Sequence, residues 1–214
     1  MYLQITERCN MTCEHCGMNC TEKGDDMSLL VLKKALEWIN NHEEDEIITI
    51  GGGEPTLHPY FWQVLGLTLS KFDVWMATNG SITDTAIALA KLSGKNLYVA
   101  LSQDYYHDKI DEVVIHAFEY NNCEIRDVSE NLINEGRAKE NGLVDLYDYK
   151  DTCICNGLFI NPRGEIKPCG CSSAPIIGDV FNGIKPEYQD FINSDEYTDC
   201  ECWTLANKKE LTEV

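Results

Sequence analysis

The stretch YLQITERCNMTCEHC, residues 2–16, joins a short strand to a cysteine loop. Residues 2–6 are predicted to form the first strand, and three cysteines follow it in the spacing C-x3-C-x2-C, namely Cys9, Cys13 and Cys16. Three thiolates on one short loop can each hold one iron of a 4Fe–4S cube, which leaves the fourth iron open to a ligand. The same spacing also fits a zinc site completed by Cys20, or a plain electron-transfer ferredoxin.

A glycine-rich motif, Gly51-Gly52-Gly53-Glu54-Pro55, follows the strand predicted at residues 46–50. Three glycines leave the backbone amides and carbonyls open to close approach by a ligand, and the proline fixes the turn. Three further short motifs follow later elements: Thr78-Asn79-Gly80, Ser102 to Asp104, and Gly136-Arg137-Ala138. A zinc site explains none of these four motifs.

The remaining sequence alternates strands with helices, which indicates a parallel sheet with crossover helices and an α/β fold class. Predicted helices cover residues 29–39, 58–72, 83–92 and 108–120, and residues 131–141 are predicted to form a helix or a turn. The later strands cover residues 73–77, 96–101 and 123–128. Pro59 is predicted to lie in the first turn of the second helix. Each motif follows a strand, and active sites form at that end of barrel strands, so we expect the motifs to converge.

Together these motifs resemble those of the radical S-adenosylmethionine (SAM) superfamily, in the family's order and roughly at its spacing. The resemblance implies a partial (β/α)6, TIM-like barrel in which the open iron chelates the amine and carboxylate of SAM. It further implies that the reduced cluster cleaves SAM to methionine and a 5′-deoxyadenosyl radical, which takes a hydrogen atom from the substrate. An electron donor such as flavodoxin or ferredoxin would reduce the cluster.

The resemblance also implies roles for individual residues. It assigns Gly52, Gly53 and Glu54 to the methionine amine of SAM. It assigns ribose and carboxylate contacts to Thr78, Asn79, Ser102 and Asp104, and it places Arg137 near the adenosine. Arg126 either meets the SAM carboxylate or pairs with Glu124 or Asp127. Tyr105 and His107 either face the substrate or pack.

The last part of the chain has a different character. Three C-x-C pairs stand at Cys153 and Cys155, Cys169 and Cys171, and Cys200 and Cys202. Residues 158–160 and 165–167 flank Asn161-Pro162-Arg163-Gly164, which predicts a β-hairpin. This arrangement resembles a twitch extension, the short form of SPASM, with one auxiliary 4Fe–4S cluster. The ligand set implied is Cys153, Cys169, Cys200 and Cys202, with Cys155 and Cys171 as replacements and a structural zinc as the alternative metal. Cys123 is expected to be a free buried cysteine.

Composition limits the class of protein. The chain has 214 residues, is 43% hydrophobic, and has a formal charge of −19, which disfavours duplex nucleic acid as a tightly held partner. The sequence contains no apolar stretch long enough to predict a membrane span. Its eleven cysteines are clustered, and no signal peptide is recognised, so we expect metal ligation in a reducing cytoplasm. We expect a barrel at residues 1–150 and an auxiliary-cluster domain at residues 151–214.

The predicted activity is radical SAM modification of a peptide or protein, by crosslinking, epimerisation or dehydrogenation. The alternative within the family is modification of a small molecule or nucleoside. The alternative outside it is an iron–sulfur or zinc-binding interaction protein, which would have no need of the glycine–glutamate–proline motif.

Overall fold

Five parallel strands alternate with helices along the first part of the chain. A computed structural model describes residues 1–42, 47–127, 129, 132–144, 157–172 and 174–189. The strands are β1 (Tyr2–Thr6), β2 (Ile47–Gly52), β3 (Asp73–Thr78), β4 (Leu97–Ser102) and β5 (Glu124–Arg126). The helices are α1 (Leu29–His42), α2 (Phe61–Leu69), α3 (Thr83–Leu92), α4 (Glu112–Tyr120) and α5 (Gly136–Glu140).

One sheet contains every strand of the described residues. Its order is β5-β4-β3-β2-β1-β6-β7-β8-β9, where the last four are Phe159–Ile160, Glu165–Lys167, Gly178–Asp179 and Gly183–Ile184. Strand β6 pairs in parallel with β1, and β7 to β9 continue antiparallel. The end strands β5 and β9 do not pair with each other, so the described sheet is open, as in a partial TIM-like barrel.

The two faces of the sheet differ in character. The outer face carries the hydrophobic core, in which side chains such as Leu3, Ile50, Met76 and Leu101 are fully buried. Burial of such a side chain contributes about 1.5–3 kcal/mol, so this face holds the sheet against its helices.

The inner face carries the alternate residues of each strand. Strand register places Phe159, Tyr2, Thr49, Trp75 and Tyr98 side by side. The four aromatic residues of this series are called the aromatic row below.

Helix α2 begins later than the sequence predicts. Residues Pro55–Leu57 form a separate 3-10 turn, and α2 begins only at Phe61. Because His58 precedes Pro59, its backbone is extended, with ψ 128, and it interrupts the helix. The prediction of one helix over residues 58–72 with Pro59 in its first turn is therefore wrong.

The other elements follow the prediction with shifted ends. Helix α4 begins at Glu112 rather than at residue 108, because the carboxylate of Asp111 caps it by accepting a hydrogen bond from the Val113 amide. Helix α5 is shorter than the element predicted at residues 131–141. In the part of the chain that the structure describes, no helix has the length and hydropathy needed to cross a membrane.

The predicted hairpin forms as β6 and β7. Its turn is closed by a 2.9 Å hydrogen bond from the Gly164 amide to the Asn161 carbonyl, and Gly164 has φ +82. Because β6 pairs with β1, the hairpin extends the sheet of the barrel. The predicted domain boundary at residue 150 lies outside the described residues.

Candidate active site

The cysteine loop, residues 9–20, follows β1 and covers one end of the inner face. The Cys9 amide donates a 2.6 Å hydrogen bond to the Thr21 carbonyl, which closes the loop at its base. Cys9, Cys13 and Cys16 are all free, and they line one cavity of about 250 Å³ together with residues 51–55. The structure therefore brings the two leading sequence motifs together.

The donor set of this loop fits a 4Fe–4S cluster with three protein ligands. Soft thiolates suit iron–sulfur clusters, and hydrogen bonds to ligand sulfurs tune such clusters. The Cys9 sulfur already accepts two hydrogen bonds, 3.4 Å from the Met11 amide and 3.9 Å from the Asn79 side chain. Burial raises the pKa of Cys9 and raises that of Cys13 to about 11, so bound metal would be needed to keep these two thiols ionised.

Cys16 differs from its neighbours because it has a thiol partner. A hydrogen bond from the Cys20 thiol lowers the pKa of Cys16 to about 5, and the same bond raises the pKa of Cys20. Cys20 is buried, and its sulfur lies 3.8 Å from the Met18 carbonyl oxygen. Cys20 therefore contacts the predicted ligand Cys16, and its role as the fourth ligand of a zinc site stays an alternative.

The glycine run packs tightly against the start of the cysteine loop. The Gly53 amide donates to the Thr6 carbonyl at 3.0 Å, and the Glu54 amide donates to the Arg8 carbonyl at 2.8 Å. A Cβ at Gly53 would lie 2.3 Å from the Arg8 oxygen, and one at Gly52 would lie 2.2 Å from the Thr6 oxygen. These glycines are therefore needed for close approach to the loop as well as for an open backbone.

Glu54 is almost fully buried, and its carboxylate is occupied by protein donors. One oxygen accepts from the Thr56 amide, the Thr56 hydroxyl and the Thr78 hydroxyl, and the other accepts from the Asn79 amide at 2.7 Å. Burial raises its pKa, although all these hydrogen bonds oppose that rise. The carboxylate therefore ties the glycine run to the end of β3. Its predicted contact with the SAM amine stays a prediction.

Asn79 and Ser102 both line the cavity. The Asn79 amide group bonds the Asn10 side chain of the cysteine loop at 3.1 Å, and Asn10 in turn bonds Ser81 at 2.9 Å. The Thr78 hydroxyl donates to Glu54 and accepts from the Gly80 amide at 3.1 Å. Thr78 and Asn79 thus organise the end of β3 against the loop.

Asp104 lies beyond the end of β4 with its side chain fully buried. One oxygen accepts from His107 Nδ1 at 2.7 Å and from the Tyr106 amide at 2.9 Å. The other oxygen has no hydrogen-bond partner among the described residues and lies 3.7 Å from His15 Nε2. Burial raises the pKa of Asp104, but the hydrogen bond and charge of His107 outweigh it, so the net pKa is lowered.

His15 is a cavity residue that the sequence analysis missed. It stacks on Tyr106, with ring centroids 4.8 Å apart, and burial lowers its pKa. The available signal was its place between Cys13 and Cys16, where any side chain must lie beside the predicted cluster. His107 also lines the cavity, whereas Tyr105 is 90% exposed and faces solvent.

The two candidate arginines occupy different surroundings. Arg126 lines the cavity, lies 5.0 Å from the Trp75 ring centroid, and has Nε 3.4 Å from a Glu124 oxygen. Arg137 instead donates to the carbonyls of Cys13 and Cys20. The structure thus brings Arg126 to the cavity and places Arg137 on the loop backbone.

Two cysteines of the second group are described, and both are buried: Cys169 and Cys171. Cys171 lines a second cavity, of about 310 Å³, which shares Tyr2, Gly17, Met18 and Thr49 with the first. The other predicted ligands, Cys153, Cys200 and Cys202, and the replacement Cys155, lie outside the described residues. Cys123 is free but only half-buried.

Comparison with protein families identifies the barrel. The model of the radical SAM superfamily matches residues 3–143. The chain is 33% identical over 106 residues to the tungsten-containing aldehyde ferredoxin oxidoreductase cofactor-modifying protein of Pyrococcus furiosus, covering 47% of this chain and 30% of that protein. It is 29% identical over 119 residues to the S-adenosylmethionine-dependent nucleotide dehydratase of a Thermoplasmatales archaeon, covering 53% and 40%. The match thus spans well under half the length of either relative.

Solved structures show the same fold. BtrN in complex with AdoMet and 2-DOIA superposes with a TM-score of 0.65 at 18% identity, covering 99% of this chain and 86% of BtrN. Streptococcus suis SuiB bound to the precursor peptide SuiA gives a TM-score of 0.57 at 13% identity, covering 98% and 72%. With a family match over residues 3–143 that contains both the cysteine loop and the glycine run packed against it, the chain belongs to the radical SAM superfamily of enzymes.

Proposed function

We propose that Cys9, Cys13 and Cys16 hold the family's 4Fe–4S cluster, that its open iron takes SAM, and that the chain modifies a peptide or protein. The observation that carries the proposal is that these three free thiols and the bare glycine run line one cavity. When bound, the cluster would supply the electron for reductive cleavage of SAM, and with it the chemistry for removing a hydrogen atom from the substrate.

The protein's own residues bind and orient SAM in this proposal. The backbone of Gly52 and Gly53 faces the cavity and suits the methionine amine. Ser102 and Asn79 line the same cavity and suit the ribose and carboxylate. Asp104 reaches the cofactor through the histidines beside it, because its own side chain is fully buried. Glu54 contributes by holding the glycine run against β3.

Two features support a peptide or protein substrate. Among the described residues, the sheet is open between β5 and β9, as suits a site that receives a chain rather than a small enclosed molecule. Several similar proteins have peptides in their descriptions: SuiB is bound to a precursor peptide, and anSMEcpe, with a TM-score of 0.59 at 14% identity, is bound to the Cp18Cys peptide. Peptide modification is therefore the first substrate class to test.

A small planar molecule is the second candidate, favoured by the aromatic row. Tyr2 and Phe159 stack with centroids 5.2 Å apart, and Trp75 lines the cavity beside them. Arg126 lies over Trp75, and Lys167 Nζ lies 5.9 Å from the Phe159 centroid. Aromatic rings with adjacent cations suit a flat, anionic molecule such as a nucleotide.

We further propose an auxiliary 4Fe–4S cluster held by Cys169 together with Cys153, Cys200 and Cys202. The burial of Cys169 supports the proposal, and Cys171, equally buried, is the replacement ligand. A structural zinc held by the same thiolates is the alternative. A protein electron donor such as flavodoxin or ferredoxin would supply the reducing electron.

The test is anaerobic reconstitution with iron and sulfide, followed by reduction and addition of SAM. We expect the electron paramagnetic resonance spectrum to change with SAM and 5′-deoxyadenosine to form slowly without substrate. Peptides and a panel of nucleotides are then added separately, and mass spectrometry detects the modified product. No SAM-dependent spectral change would refute the SAM assignment. Turnover of nucleotides but not peptides would replace the first substrate class with the second.

A further inference from the structure

Residues 135–141 make several hydrogen bonds to the cysteine loop that the sequence motifs did not predict. The Arg137 amide donates to the Cys16 carbonyl at 2.9 Å. Its side chain donates from Nε to the Cys13 carbonyl at 2.8 Å and from Nη1 to the Cys20 carbonyl at 2.9 Å. One residue thus bonds three carbonyls spread along the loop, two of which belong to predicted cluster ligands.

Neighbouring residues add to this contact. The Asn141 side chain donates to the Glu14 carbonyl at 3.0 Å, and the Asn19 side chain donates to Glu140 at 2.8 Å. Gly136 has φ +53, and a Cβ there would lie 2.5 Å from the Cys16 oxygen. Only glycine permits this close approach without displacing the loop, so the first residue of α5 packs directly against the cysteine loop.

The charge of Arg137 acts on the same loop. The chain carries a formal charge of −19, and reduction adds one more negative charge to a cluster that three thiolates already make electron-rich. A guanidinium stays protonated at all working pH values, and here its hydrogen bonds hold it beside the ligand backbone. A fixed cation near a redox centre stabilises the reduced form by Coulomb attraction.

We propose that Arg137 is a positioning residue for the cluster loop and that its charge raises the reduction potential of the bound cluster. The proposal rests on the assignment of the cluster to Cys9, Cys13 and Cys16. It replaces the sequence-based role of Arg137 as an adenosine contact. Its two parts are separable, because the forked hydrogen bonds set the loop's shape and the charge sets the potential.

The segment also reaches the second cysteine group. The Glu135 carboxylate is buried and accepts from the Ser172 amide at 3.0 Å and from the Ser172 hydroxyl at 2.7 Å. Ser172 directly follows Cys171 in the chain. Residues 135–137 therefore join the two cysteine-bearing loops, so a change at Arg137 is best tested in the full chain with both metal sites loaded.

The experiment compares the reconstituted wild type with Arg137→Gln, Arg137→Lys and the charge-matched control Lys34→Gln. Lys34 lies on α1, exposed and paired with Glu37, away from the loop. Three quantities are measured: the midpoint potential of the barrel cluster by redox titration, the rate of iron release to a chelator, and the affinity for SAM.

We expect Arg137→Gln to lower the equilibrium constant for reduction about tenfold, which is about 59 mV for a one-electron couple. We expect Arg137→Lys to keep most of the potential but to release iron several-fold faster, because lysine cannot bridge two carbonyls with a planar fork. Lys34→Gln should change neither quantity.

Three outcomes would overturn the proposal. The first is a wild-type potential in a loaded Arg137→Gln variant. The second is weaker SAM binding with unchanged potential and iron release, which would restore the adenosine contact. The third applies if Arg137→Gln takes up no cluster: it is an iron-release rate in Arg137→Lys equal to that of the wild type. Failure of the wild type itself to take up a cluster at Cys9, Cys13 and Cys16 would instead refute the cluster assignment.

Discussion

The two cysteine-bearing loops differ in how the rest of the protein holds them. The cysteine loop of residues 9–20 is fixed on three sides: by Thr21 at its base, by Asn79 from β3, and by Arg137 from α5. The loop around Cys169 and Cys171 is held by contacts that include a hydrogen bond from the Lys167 side chain to the Cys171 carbonyl and hydrogen bonds from Ser172 to the Glu135 carboxylate. Cys169 and Cys171 are buried, whereas Cys9, Cys13 and Cys16 are only half-buried and line the first cavity.

This difference suggests different uses of a metal. A loop already positioned by protein contacts presents an open site whose remaining position is free for a ligand. The buried cysteines of the second loop instead suit a metal that contributes folding free energy, as in small metal-dependent domains. The following changes test that contrast, from the largest expected effect to the smallest.

Changing Cys9, Cys13 and Cys16 together to alanine should abolish formation of 5′-deoxyadenosine and leave the second site loaded. Iron analysis should still find about four irons per chain, the content of one 4Fe–4S cluster. Zinc without iron would identify a structural metal at the second site instead. Deoxyadenosine formation at the wild-type level would contradict the assignment of the three ligands.

Gly53→Ala should reduce SAM cleavage at least tenfold, because its Cβ would lie 2.3 Å from the Arg8 carbonyl oxygen and 2.8 Å from the Cys9 Cβ. Gly66→Ala is the matched control. Nothing lies within 4 Å of its Cβ position, and alanine stabilises a helix by about 0.5–1 kcal/mol relative to glycine. Deoxyadenosine assays and thermal unfolding report the two effects. Equal activity in both variants would show that the close approach is unimportant.

Glu54→Gln should weaken SAM binding while leaving the iron content of the barrel cluster nearly intact. Glutamine keeps only one of the two acceptor oxygens, so either the Asn79 amide or the Thr56 and Thr78 donors lose their acceptor, and each buried donor left unpaired costs about 1–3 kcal/mol. Glu135→Ala removes the acceptor of both Ser172 hydrogen bonds at the second loop, and we expect it to reduce metal uptake there more than it weakens SAM binding. Calorimetry with SAM and metal analysis separate the variants, and identical profiles would contradict the contrast between the loops.

Asp104→Asn should have the smallest effect, and that effect should depend on pH. The pKa of Asp104 is lowered in the folded protein, so its charge contributes stability above the ordinary value of 3.8, and that contribution is lost as pH falls through the lowered pKa. We therefore expect the difference in free energy of unfolding between wild type and variant to shrink in acid. A difference that is constant from neutral pH to strong acid would show that the charge plays no part.

Much of the secondary structure of the barrel could be predicted from the sequence, because the patterns that predict strands and helices are local. Strand β1, helix α3 and the hairpin strand β7 match their predicted ranges, and the other barrel strands differ by a few residues at their ends. The error at residues 58–72 arose from one steric effect, the extended backbone that Pro59 imposes on His58. The cysteine spacing and the glycine run sufficed for the family, since both are short contiguous patterns.

The partners of the polar site residues were decided by tertiary structure. Glu54, which follows β2, accepts hydrogen bonds from Thr78 and Asn79 at the end of β3. Arg137 donates to carbonyls of a loop more than a hundred residues earlier in the chain, and strand β6 pairs with β1 at the edge of the barrel sheet. Composition and periodicity do not encode such pairings, because a carboxylate or guanidinium bonds whichever complementary groups the packed backbone brings near. The sequence by itself therefore determined the class of fold and supplied the thiol sulfur atoms that we propose as metal ligands. The three-dimensional packing decided that Glu54 and Arg137 serve the loops that carry those atoms.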